Sequence, residues 1–110
     1  EKNNSAYVGK GAAISKYTGA RGKSGSNDAN AEYLGILRKA FDDAKVEYQT
    51  AELGRIDAGG GGTIAYIPAA YGMDVIDIGV PILNMHAPYE VSSKADVYET
   101  TKCYKAFYEM

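Results

Sequence analysis

A single histidine, His86, stands in this 110-residue chain. It follows the apolar run Val80-Pro81-Ile82-Leu83-Asn84-Met85 and precedes Ala87-Pro88-Tyr89-Glu90. Active sites of α/β proteins collect at strand ends, and a neutral imidazole placed there is a good zinc ligand. A zinc site nevertheless needs three or four protein ligands, and a lone histidine is more often a hydrogen-bonded core or surface residue. Asp77, in the apolar run Val75-Ile76-Asp77-Ile78-Gly79-Val80, is a second chemical candidate. Its simpler reading is an inward carboxylate, hydrogen-bonded to hold a loop.

Two glycine-rich stretches could approach a ligand. Gly59-Gly60-Gly61-Gly62 precedes Thr63; four consecutive glycines cost much chain entropy on folding, yet they bring backbone N–H groups close to a bound group. The same composition also serves as a flexible surface linker, and both readings stand. The second stretch contains Gly22-Lys23-Ser24 and resembles the tail of a phosphate-binding loop. The full pattern needs a glycine where Tyr17 stands, so nucleotide binding is not favoured.

The elements that must position these groups alternate in type. Short strands are expected at Tyr7-Val8 and Ala12-Ala13-Ile14, with a polar loop over 18–27. Asn27 or Asp28 can cap a helix that runs to about Lys45, with Ala31, Leu34, Leu37, Phe41 and Ala44 on its apolar stripe. A strand from Tyr48 to Leu53 and a short helix over 63–67 follow. Residues 75–80 read as a buried strand and 82–85 as another. A last helix starts near Ser92 or Ser93, with Val97, Thr101, Tyr104 and Tyr108 as its stripe. Alternating strands and helices predict an α/β layered domain, with helices near 28–45 and 93–108 packed on a sheet containing residues 74–79.

Composition bounds the rest. Hydrophobic content of 45% and charged content of 24% are ordinary for a globular chain. A net charge of −2 leaves no electrostatic footprint for nucleic acid. No apolar run reaches the roughly 20 residues that span a bilayer, so no membrane partner is expected. The lone Cys103 cannot close an internal disulfide, which points to a reducing, cytoplasmic compartment. The first residue is Glu1 rather than methionine, and the expectation is one segment, 1–110, of a longer chain.

Three stretches together resemble one family. Lys16 through Tyr33, Asp57 through Ile64 with its four glycines, and Gly72 through Glu90 with Met85-His86 are similar to the aspartyl aminopeptidases and aminopeptidase I, in their bacterial branch. The likeness runs from about Gly11 to Phe107. That resemblance implies the C-terminal part of a three-layer, phosphorylase/hydrolase-like α/β zinc exopeptidase domain. It implies hydrolysis of N-terminal residues from peptides by a water activated at two zinc ions, with manganese or cobalt as substitutes. His86 would be a metal ligand, and Lys16, Gly61 and Met85 would face the peptide substrate. The remaining ligands and the general base would come from the remainder of the same peptidase chain, so no catalytic residue is expected in this segment and the segment alone is expected to be inactive. The resemblance also implies a homo-oligomer. The competing reading is a non-catalytic binding or structural module derived from the same fold.

Overall fold

The computed structural model describes residues 5–18, 27–52 and 64–110. Its elements, in chain order, are β1 (Ala12–Ser15), β2 (Tyr17–Thr18), β3 (Asn27–Asp28), α1 (Ala31–Asp43), β4 (Tyr48–Ala51), α2 (Tyr66–Ala69), β5 (Asp77–Gly79), β6 (Ile82–Leu83), β7 (Val91–Ser92) and α3 (Lys94–Tyr108). The α/β expectation holds. Among the described residues no helix is long and apolar enough to cross a membrane.

Strand β1 is central. It pairs in parallel with β4, from Ala12↔Tyr48 to Ser15↔Ala51, and antiparallel with β5, from Ala13↔Gly79 to Ser15↔Asp77. Side chains alternate across a strand, so Ala12 and Ile14 share one face while Ala13 and Ser15 share the other. The first face is the core: Ala12 and Ile14 pack with Leu37, Phe41, Val46, Cys103 and Ala106. Fully burying Ile14, Leu37 and Phe41 contributes about 1.5–3 kcal/mol each.

Helix α1 forms much as its stripe requires, with Leu37 and Phe41 buried and Tyr33 and Leu34 packed beside them. Its cap is Asn30, whose side chain accepts from the Tyr33 N–H at 2.7 Å. The expected caps Asn27 and Asp28 are instead committed to β3, which pairs with β2. At the other end the Lys45 N–H reaches Asp42 O and the Val46 N–H reaches Phe41 O. That pair of bonds is a Schellman stop, with Lys45 at φ 56° where glycine is usual.

Helix α3 buries a different face from the expected one. Val97, Tyr104 and Tyr108 are exposed, and the buried residues are Asp96, Thr100, Cys103 and Ala106. Small side chains on this face let the helix approach β1 and α1, while bulky tyrosines are left outward. Tyr104 still works at the sheet, its hydroxyl donating to Ile78 O at 3.2 Å. Asp96 is tolerated inside because its carboxylate accepts from Gly9 N at 2.7 Å and from Gly11 N at 2.9 Å.

Tyr7-Val8 is a turn rather than a strand, closed by Lys10 N–H on Tyr7 O and bracketed by the Gln49 side chain. Gly11 needs its glycine: φ is +86° and a Cβ would lie 2.1 Å from Glu47 O. The expected strand over 75–80 shortens to β5, which is only half-buried. The helix expected over 63–67 forms later, as α2 (Tyr66–Ala69), and carries Pro68 within it; residue 63 lies outside the described residues.

Candidate functional site

The hairpin β6–β7 carries the histidine. Its register, Ile82↔Ser92 and Leu83↔Val91, leaves residues 84–90 as the loop between the strands. The strand thus ends at Leu83, and Met85 and His86 lie on the loop rather than on a buried strand, which corrects the expectation for 82–85. The loop turns sharply. The Ala87 N–H donates to Asn84 O at 3.0 Å, and both Asn84 (φ 60°) and His86 (φ 67°) occupy the left-handed region. Asparagine and histidine are among the few side chains enriched there. The Glu90 carboxylate reaches back and accepts from the His86 N–H, Oε1 to N 2.5 Å.

A cavity of about 440 Å³ opens on the sheet face turned away from the core, lined among others by Ser15, Glu52, Asp77, Pro81 and Met85. It has an apolar floor from Ala13, Ala51 and Gly79 and two carboxylates at its wall. These small residues follow from strand alternation: they are the side chains that β1, β4 and β5 turn away from the helices. A larger polar groove of about 600 Å³ runs between α1 and β4, past Arg38, Asp42 and Tyr48. There the Tyr48 hydroxyl donates to Asp42 at 3.0 Å. The groove gathers none of the residues singled out in the sequence.

Of those residues, Met85 lines the cavity. Lys16 follows Ser15, a lining residue; it is half-buried, and its carbonyl accepts from the Ala29 N–H at 2.9 Å. His86 follows Met85 and is exposed at the loop. Gly61 and the glycine run at 59–62 lie outside the described residues. Asp77 lies on strand β5 but is only half-buried and faces the cavity, on the side of the sheet away from the core, rather than inward. Glu52, which was not singled out in the sequence, joins it there. Glu90 was also passed over; its only signal was a carboxylate four residues after the histidine.

Among the described residues no group of three or more His, Cys, Asp or Glu side chains could hold a metal ion. What is present fits one corner of such a site: an exposed imidazole on a loop with a pinned backbone. A zinc ion there would draw its other ligands from elsewhere.

The family model for aminopeptidase I zinc metalloproteases (M18) matches residues 1–108. The chain is 65% identical over 107 residues to a probable M18 family aminopeptidase 1 of Clostridium acetobutylicum, covering 97% of this chain and 23% of that protein. The crystal structure of aminopeptidase I from the same organism superposes with a TM-score of 0.88, covering 97% of this chain and 24% of that one. The M18 aminopeptidase structure from Thermotoga maritima gives a TM-score of 0.87 at 49% identity, covering 96% of this chain and 24% of that one. The chain therefore spans about a quarter of the length of the relatives it matches. By its sequence along nearly the whole length and by the fold of its described residues, it belongs to the aminopeptidase I zinc metalloprotease (M18) family.

Proposed function

We propose that this chain is the C-terminal part of the catalytic domain of a zinc aminopeptidase that removes N-terminal residues from peptides. The family match from residue 1 to residue 108 carries the reading. His86 would hold one of two zinc ions, with manganese or cobalt able to substitute. The remainder of the same chain would supply the other ligands and the general base. Bound zinc would supply Lewis acidity, polarising the scissile carbonyl and making the attacking water more acidic.

This chain's own residues would hold and orient the peptide. Met85, at the cavity, would pack against substrate next to the histidine, and Lys16 would present its cation near the end of β1. The N–H groups around Gly61 would bind the peptide backbone or the developing oxyanion. The small-residue face of the sheet would be covered by a further layer from the rest of the chain, making a three-layer domain. Met85, exposed and lining the cavity on that face, favours such a cover. The whole protein would act as a homo-oligomer in the cytoplasm.

The test is His86→Ala in the complete enzyme, with zinc content by mass spectrometry and turnover of aspartyl, glutamyl and leucyl chromogenic amides. Zinc and activity should fall together while circular dichroism stays unchanged. Full zinc with near-normal turnover would end the proposal.

A further inference from the structure

We propose that Glu90 is a positioning residue for His86, acting through the backbone of the loop rather than on the metal or the substrate. The inference rests on the reading of His86 as a zinc ligand and deepens it. His86 sits at φ 67°, in the left-handed region that is disfavoured for an L-residue relative to the right-handed basin. Something must hold it there. One bond inside the turn, Ala87 N–H to Asn84 O, fixes the residues on either side of His86 but leaves its own N–H to find another acceptor. Glu90 Oε1 is that acceptor, at 2.5 Å, and its negative charge makes the bond a charge-assisted one.

The geometry makes Glu90 well suited to this. The pairs Leu83↔Val91 and Ile82↔Ser92 place Glu90 at the last loop position, directly before β7. Its backbone is therefore anchored to the hairpin, and its side chain spans the loop. Without the carboxylate the residue at 86 is free to relax towards negative φ. Such a change redirects the Cα–Cβ bond and moves the imidazole by far more than the roughly 0.2 Å that a zinc–nitrogen bond tolerates. The side chain that fixes the ligand here grips its amide, not its ring.

The test uses the complete enzyme carrying Glu90→Ala, Glu90→Gln and His86→Ala, with zinc affinity read by competition against a chelator and thermal unfolding of the metal-free protein as a control. Glu90→Ala should weaken zinc binding by about 10–100-fold, the usual cost of losing a group that orients a ligand. The metal-free unfolding temperature should hardly change. Glu90→Gln keeps a carbonyl acceptor at the same reach and should recover most of the affinity. If His86→Ala abolishes zinc binding while Glu90→Ala binds zinc like wild type, the inference falls and the ligand reading stands. It also falls if Glu90→Ala lowers the metal-free unfolding temperature in step with affinity, or if Glu90→Gln is as weak as Glu90→Ala. If His86→Ala keeps its zinc, the ligand reading itself fails and takes the inference with it.

Discussion

Replacing Asp96 by alanine should loosen the start of β1 more than any other single change on α3. The carboxylate is 1% exposed and accepts two backbone N–H bonds, from Gly9 and Gly11. Hydrogen bonds to a charged acceptor contribute about 1.5–3 kcal/mol each, and the Gly11 N–H would be left buried without its acceptor. Its place in the first turn of α3 adds a further few tenths of a kcal/mol against the helix dipole. Water entering the gap recovers part of this, so the expected loss is about 3 kcal/mol, which corresponds to roughly 100-fold in an opening equilibrium. Hydrogen exchange by mass spectrometry on the complete protein, followed on peptides covering residues 7–16, reads that number directly. Asp96→Asn keeps one carbonyl acceptor and should fall about midway. Exchange within threefold of wild type in Asp96→Ala would show that the two short contacts carry little energy and that the turn is held by Gln49 and the sheet instead.

Two further outcomes follow from local geometry. Lys45→Gly removes the left-handed penalty at the stop of α1 and should slow amide exchange at Val46 about threefold, a gain of about 0.5–1 kcal/mol after glycine's own entropy cost; unchanged or faster exchange would refute it. Burial, helped by the nearby Glu99 charge, pushes the Cys103 thiol up from 9.0 to about 11. The folded state then keeps a proton that the unfolded state releases, so this contribution is full below pH 9.0 and is lost as pH climbs towards about 11. Wild type should lose stability relative to Cys103→Ala across that window in denaturant titrations, and its thiol should resist alkylation at about pH 8.

The sequence was most legible where one interaction decides the outcome. Leu34, Leu37 and Phe41 announce α1 because a helix stripe and a hydrophobic core ask for the same spacing. It was least legible where two demands conflict. On α3 the apolar pattern favoured Val97, Tyr104 and Tyr108, but close packing on β1 favoured the small residues Thr100, Cys103 and Ala106. Burial of Asp96 depends on N–H groups from a turn far away in sequence, which no local window contains. Around the candidate site, the run through Met85-His86 carried the family, yet its apolar character suggested a longer strand than forms. The left-handed residues at Asn84 and His86 break that strand, and nothing in their side-chain types required it. The link from Glu90 to the His86 amide is set by that turn and so was invisible from spacing alone.

The Asp96 clasp also has a consequence for the order in which the chain assembles. Asp96 lies 85 residues beyond Gly11 and 87 beyond Gly9. A ribosome adding about 5–20 residues per second would deliver that carboxylate roughly 4–17 s after the glycines. Strand β4 is made long before, so the parallel β1–β4 pair has both its members available while the turn at residues 7–11 still has only water for two of its donors. Strand β5 comes next, and α3 arrives after it. Closure of this unit is then timed by the helix that carries the clasp, and slowing translation between β4 and α3 would lengthen the interval in which the front of β1 lies open to chaperones or proteases.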